Sequence, residues 1–241
     1  MPSDDFMERA DDEREMTAIA DDIDDLDDDR DLVDDHADEE DTDTVTFASL
    51  GLPEEILAAV TDMGFRVPTP IQAAAIPPLL ELRDVVGIAQ TGTGKTAAFG
   101  LPLLAIVDAD ERDVQALVLA PTRELAMQSA QAIEDFAART ARLDVVPVYG
   151  GSPYGPQIGA LKRGAQVVVG TPGRVIDLIE KGALDLSNVR MLVLDEADEM
   201  LRMGFAEDVE TIASSAPDDR LTALFSATMP AAIEKVAREH L

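Results

Sequence analysis

The stretch Asp84-Val85-Val86-Gly87-Ile88-Ala89-Gln90-Thr91-Gly92-Thr93-Gly94-Lys95-Thr96 decides the reading of this chain. Asp84–Ala89 is short and apolar on both alternating faces, as a buried parallel strand is. Lys95 opens a helical pattern that runs to Val107. Between them, Ala89–Thr96 fits A-x-x-G-x-G-K-T, a close variant of the strand–loop–helix pattern that cradles phosphate. Gly92 and Gly94 permit a tight turn whose N–H groups point inward. The helix beginning near Lys95 adds the positive end of its dipole. Lys95 supplies a point charge to the β and γ phosphates of a nucleotide, and Thr96 a hydroxyl for Mg²⁺.

Working outward, the same kind of strand recurs at Gln115–Ala120, Asp144–Tyr149, Gln166–Gly170, Met191–Leu194 and Thr222–Phe225. Helical patterns separate them, at Pro53–Met63, Thr69–Leu80, Arg123–Arg139, Tyr154–Arg163, Arg174–Glu180, Glu207–Ala213 and Ala231–His240. Strands alternating with helices predict an α/β domain with a mostly parallel, twisted sheet covered by helices on both faces. The strand Met191–Leu194 ends in Asp195-Glu196-Ala197-Asp198. Ligands of open α/β sheets sit beyond that carboxyl edge. Asp195 is placed to hold the Mg²⁺ shell, and Glu196 to orient and deprotonate a water for attack on the γ-phosphorus.

Composition narrows the classes. The chain has 241 residues, no Cys and two His, His36 and His240. A disulfide scaffold and a thiolate metal site are excluded, and a zinc site is disfavoured. No apolar run approaches the roughly 18 residues of a membrane span, and Met1–Ala10 has no signal-peptide core. A cytoplasmic protein is the expectation. The formal net charge is -30, of which residues 1–43 carry -19 and residues 44–241 carry -11. Such a balance opposes indiscriminate nucleic-acid binding, so any such contact has to be local and shaped. Residues 1–43 read as a disordered acidic tail, although Met16, Ile19, Ile23 and Leu26 would line one face of a helix that a partner could order.

Further stretches complete the pattern: Gly64-Phe65-Arg66-Val67-Pro68-Thr69-Pro70-Ile71-Gln72, Pro121-Thr122-Arg123-Glu124-Leu125-Ala126, Gly150-Gly151, Thr171-Pro172-Gly173-Arg174 and Ser226-Ala227-Thr228. An isolated Phe47 lies 17 residues before Gly64. With the loop at Ala89–Thr96 and the tetrapeptide Asp195–Asp198, residues 45–241 resemble the first RecA-like domain of a DEAD-box ATP-dependent RNA helicase. Glu199–Phe205 has a bacterial flavour.

The resemblance implies a RecA-like P-loop NTPase fold over residues 44–241, with ATP and Mg²⁺ as ligands and RNA as partner. It implies that Gln72 reads adenine, since its amide pairs with N6 and N7 together. Phe47 packs on or near the base, with Phe65 beside it, and Thr91, Gly92, Thr93, Gly94, Lys95 and Thr96 hold the phosphates. It assigns the RNA backbone to Pro121, Thr122, Arg123, Gly150, Gly151, Thr171, Pro172, Gly173 and Arg174, read through phosphate and 2′-OH rather than base sequence. Asp198, Ser226 and Thr228 are implied to couple nucleotide state to strand opening. Two departures stand out. Leu82 occupies a place where the family keeps a Gly, which predicts a backbone with φ > 0 there. Nothing in the chain matches the family's second RecA-like domain with its arginine fingers. On its own the chain is therefore expected to be nearly inactive as an ATPase and to remodel RNA duplexes only when joined to that domain.

Overall fold

The computed structural model describes residues 17–20, 45–140 and 143–241. Seven strands form one sheet: β1 (Thr17–Ala20), β2 (Val85–Ile88), β3 (Ala116–Leu119), β4 (Val145–Val148), β5 (Val167–Gly170), β6 (Met191–Leu194) and β7 (Leu221–Ser226). Their order is β1-β2-β7-β6-β3-β5-β4, and every pairing is parallel. The strands β3, β5, β6 and β7 are buried along their whole length, which is why they read as continuous apolar runs.

The two-residue period of the strands divides the core in two. Val118, Val169, Val193 and Phe225 point to one face, where α1 (Glu54–Asp62), α2 (Pro70–Leu80), α3 (Lys95–Ile106) and α4 (Arg123–Phe136) pack. Leu117, Val168, Leu192 and Leu224 point to the other. That face is covered by α5 (Tyr154–Gly164), α6 (Pro172–Glu180), α7 (Ala197–Arg202), α8 (Ala206–Ala213) and α9 (Ala231–His240). Gly87 leaves room for the Phe225 ring of the neighbouring strand under α2: a Cβ there would sit 2.7 Å from that ring and 3.1 Å from Ile71. The three-layer α/β arrangement expected from the sequence is thus observed, with boundaries within a few residues.

Three differences have local causes. A 3₁₀ turn at Phe47–Leu50 and the short helix α7 escape periodicity because each is too brief to show one. Residues 17–20, expected to be disordered or on a helical stripe, instead form the edge strand β1, with Thr17 opposite Val85 and Ala20 opposite Ile88. Thr-Ala-Ile-Ala lies in Met16–Ala20, the longest acid-free run of that region, and the open edge of β2 offers it a ladder. The rest of the acidic-tail reading lies outside the described residues.

Leu82 bears out the backbone expectation. It has φ +60°, and the N–H of Arg83 reaches back to the Pro78 carbonyl at 2.9 Å, ending α2 on a left-handed residue.

Candidate nucleotide and RNA site at the carboxyl edge of the sheet

The phosphate loop follows β2 and enters α3 at Gly94, which has φ +93°. Lys95 is buried, and its Nζ lies 2.9 Å from Glu196 Oε1, with side-chain exposures of 5% and 12%. The same oxygen accepts from Thr91 Oγ1 at 3.0 Å. Glu196 sits in the left-handed region at φ 52°, ψ 49°. A non-glycine residue held there costs on the order of 1–3 kcal/mol, and such strain clusters at working sites. The loop and the acidic pair, 101 residues apart in sequence, thus meet as the sequence reading requires.

Asp195 is buried, and its Oδ1 has no hydrogen-bond partner. Burial lifts its pKa to about 6, with the Lys95 charge pulling it down and Glu196 pushing it up. An orphaned carboxylate oxygen beside a cationic loop, with the Thr96 hydroxyl in the first turn of α3, is a hard-oxygen donor set of the kind Mg²⁺ takes. Asp198 lies one turn on. Burial raises its pKa, but hydrogen bonds from Thr228 and Ser226 outweigh it and hold the carboxyl below the ordinary value. Thr228 Oγ1 donates to Asp198 Oδ2 at 2.8 Å, while Ser226 Oγ donates to the Thr228 carbonyl at 2.7 Å. The end of β7 is therefore tied to the acidic segment after β6.

Gln72 is engaged differently from a free base reader. Its Oε1 accepts from Thr69 N at 2.9 Å, and its Nε2 donates to the Gly94 carbonyl at 3.1 Å. The amide thereby caps α2 and braces the phosphate loop at once. A Cβ on Gly94 would lie 2.3 Å from Gln72 Nε2 and would push the brace aside, and the φ of +93° favours glycine independently. Phe47 is 2% exposed and meets Phe65 edge-on, with ring centroids 6.2 Å apart. Phe65, at 40% exposure, is the aromatic face of that pair left open.

The RNA-assigned segments share this edge. Thr122 Oγ1 caps α4 by accepting from Leu125 N. Arg123 is exposed and stacks 4.7 Å over the Tyr149 ring, which precedes the exposed Gly150 and Gly151. Thr171 and Pro172 start α6, with Gly173 exposed. Arg174 departs from the phosphate-ligand reading. It is buried, donates to Gln157 Oε1 and to the Ser152 carbonyl at 3.0 Å each, and stacks 4.1 Å over Tyr154. Gln157 Nε2 in turn donates to the Tyr149 carbonyl at 3.2 Å. Arg174 holds the Gly150–Ser152 turn from beneath; Arg123 is the guanidinium left facing out. Gln157 and Tyr154 were missed from sequence, where a helical amide and a lone tyrosine carry no distinguishing spacing.

Residues 69–236 match the family model described as DEAD/DEAH box helicase, and the chain belongs to that family. It is 57% identical over 200 residues to the ATP-dependent RNA helicase DeaD of Haemophilus influenzae, covering 83% of this chain and 33% of that protein. It is likewise 57% identical over 196 residues to DeaD of Escherichia coli, covering 81% and 31%. The chain thus spans about a third of the length of the curated relatives it matches. Among solved structures it is similar to a DEAD box protein from the hyperthermophile Methanococcus jannaschii. That match has a TM-score of 0.78 and 45% identity, covering 81% of this chain and 53% of the other. A second, a hypothetical ATP-dependent RNA helicase from Sulfolobus tokodaii, gives 0.72 and 42% over 79% and 55%. No helix among the described residues is long and apolar enough to cross a membrane.

Proposed function

We propose that this chain is the nucleotide-binding RecA-like unit of a cytoplasmic, ATP-dependent RNA helicase. The observation that carries the reading is the meeting of Lys95, Thr91 and Glu196 in one cluster at the same sheet edge as Arg123 and the Gly150–Gly151 turn. Lys95 exchanges the Glu196 carboxylate for the β and γ phosphates of ATP. Glu196 Oε1, released, accepts a proton from the attacking water. Thr96 and Asp195 would hold Mg²⁺, which neutralises charge on the phosphates. Gln72 exchanges its Thr69 and Gly94 partners for the adenine edge, so that base recognition loosens the brace on the phosphate loop. Phe65 and Phe47 flank the base. Thr122, Thr171 and the turns at Gly150–Gly151 and Pro172–Gly173 approach the RNA backbone, and Arg123 neutralises a phosphate. The Thr228–Asp198 contact carries nucleotide state to the end of β7.

Strand separation and efficient hydrolysis require a second RecA-like domain to supply arginine fingers, an effect commonly worth about 10³–10⁵ in rate. The test has two arms. Calorimetric titration of this chain should show ADP and ATP binding with Mg²⁺ and little turnover. A form extended to the length of the relatives should hydrolyse ATP in response to RNA and separate a short duplex. ATP binding unchanged by Lys95→Ala, or hydrolysis stimulated by DNA but not RNA, would overturn the reading.

A further inference from the structure

One oxygen of Asp177, Oδ2, stands between two donors. It accepts from the Tyr154 hydroxyl at 2.7 Å, and it lies 3.9 Å from Nε of Arg174. The first contact is a hydrogen bond; the second is too long to be one. Arg174 Nε is buried and has no hydrogen-bond partner among the described residues. The rest of that guanidinium is engaged: Nη1 donates to Gln157 Oε1 and Nη2 to the Ser152 carbonyl, each at 3.0 Å. A buried N–H left unpaired is costly, and an arginine–carboxylate bond closes at about 2.7–2.9 Å. Nε and the carboxylate are thus held roughly 1 Å short of bonding.

Tyr154 holds them so from the first turn of α5, where its hydroxyl meets the Asp177 carboxylate of α6 between the two helices. That bond is also the main reason its pKa lies above the ordinary value, so the donor keeps its proton. Its ring meanwhile lies 4.1 Å from Cζ of Arg174, where cation–π attraction steadies the guanidinium. Ring and hydroxyl act in one sense. The ring keeps the guanidinium in place, and the hydroxyl keeps Asp177 from drawing it away.

We infer that Tyr154 is a positioning residue for RNA. Its hydroxyl holds the Asp177 carboxylate off Arg174 Nε, so that the guanidinium stays on Gln157 and Ser152. The Gly150–Ser152 turn then keeps the shape that meets the RNA backbone, a role that rests on the reading of this turn as an RNA contact. Without the hydroxyl, Asp177 closes on Nε and the guanidinium tilts away from the Ser152 carbonyl.

Tyr154→Phe removes only the hydroxyl and keeps the ring that Arg174 shares with Lys181, whose Nζ lies 4.7 Å from it. In the 241-residue chain, the Arg174 Nε–H resonance should move downfield in Tyr154→Phe as it gains a carboxylate partner, and the Gly151 and Ser152 amides should shift with it. In a form extended to the length of the relatives, Tyr154→Phe should bind single-stranded RNA about threefold to tenfold more weakly, the effect of one hydrogen bond. The salt slope of binding should stay unchanged, because no phosphate contact is lost. Adding Asp177→Ala to Tyr154→Phe removes the competing carboxylate as well. It should return the resonance to its place and the affinity to within about twofold of the parent, a rescue that a packing role does not produce. A resonance unmoved in Tyr154→Phe, or a double variant no better than the single one, would overturn the inference. Arg123→Ala separates it from the RNA reading. Affinity lowered by Arg123→Ala but unchanged by Tyr154→Phe would overturn the positioning role alone. Affinity unchanged by both would overturn the RNA reading of this edge with it.

Discussion

Lys95 Nζ and Glu196 Oε1 stand 2.9 Å apart in a nearly water-free contact, so the residue that binds phosphate and the residue that activates water neutralise each other. Nucleotide has to break this pair before chemistry can begin. Glu196→Gln keeps the shape and a hydrogen-bond acceptor but loses the charge. A charge-assisted bond is roughly twice as strong as a neutral one, a difference of about 1 kcal/mol. Glu196→Gln should therefore bind ATP as tightly as the parent or up to about fivefold more tightly. In a form extended to the relatives' length, turnover should nearly vanish. Titration calorimetry with single-turnover hydrolysis measures both. A tenfold loss of ATP affinity would show that Glu196 supports nucleotide binding rather than competing with it.

Gln72 joins the capping box of α2 to the Gly94 carbonyl. Removing it leaves a backbone N–H and a carbonyl without their partner. Gln72→Ala should cost about 1–3 kcal/mol of stability by thermal or urea denaturation. The parent should prefer ADP over GDP, and the variant should lose more affinity for ADP than for GDP. Equal losses for the two nucleotides would leave Gln72 the bracing role alone.

Arg174 and Arg123 make opposite predictions for RNA. Arg174 spends its guanidinium on Gln157, Ser152 and the Tyr154 face, whereas Arg123 is exposed over Tyr149. Arg174→Lys cannot reproduce two directed bonds and a planar stack. It should destabilise the domain and weaken RNA binding while leaving the salt slope of that binding unchanged. Arg123→Ala should lower the slope by about 0.7, the value for one phosphate contact on a single strand. RNA titrations across salt concentrations, in the extended form, separate the two roles. A reduced slope for Arg174→Lys would mean that Arg174 turns outward to phosphate.

The sequence made the sheet legible because buried parallel strands have to be apolar on both faces, as Leu117–Leu119 and Leu192–Leu194 are. The phosphate loop and the acidic pair were legible for a chemical reason: few residue types can turn tightly at Gly94, bind phosphate through Lys95 and end a buried strand in Asp195. What stayed hidden depends on partners distant in sequence. The Gln72 amide looked free because its acceptor, the Gly94 carbonyl, carries no side-chain signature. Arg174 looked like a surface cation because its burial is set by Gln157 and Tyr154, on another helix. The strand β1 is too short for a period and lies among acids, so only the open edge of β2 reveals it.

Leu82 closes α2 in a conformation that glycine adopts freely. Leucine there costs on the order of 1–2 kcal/mol. Leu82→Gly should raise stability by about 1 kcal/mol, or about 2–4 °C in melting temperature for a domain of this size. Melting curves of the parent and the variant measure it. A variant no more stable than the parent would mean that the Leu82 side chain offsets its backbone strain through its own contacts.

Asp195 gives the site a pH dependence with a definite sign. Its folded pKa, about 6, lies above its ordinary value of 3.8, chiefly through burial. Between those values the folded chain binds more protons at this group than the unfolded chain does. The ionised carboxylate therefore opposes folding above about pH 6, and the penalty is relieved as pH falls from 6 toward 3.8. Asp195→Asn removes the charge while keeping the shape. At pH 7.5 it should stabilise the nucleotide-free chain by on the order of 1 kcal/mol or more, since each unit of pKa shift corresponds to about 1.4 kcal/mol. The advantage should shrink below pH 6, where the parent itself is protonated. Nucleotide binding should show the reverse. Mg²⁺ needs the carboxylate ionised, so the parent's Mg²⁺-dependent gain in ADP affinity should fall as pH drops through 6, and Asp195→Asn should lack that gain at every pH. Urea denaturation and ADP titration from pH 5 to 8, with and without Mg²⁺, measure both trends. A variant no more stable than the parent at pH 7.5, together with a Mg²⁺ effect that does not change with pH, would place the titration near pH 6 on some other group.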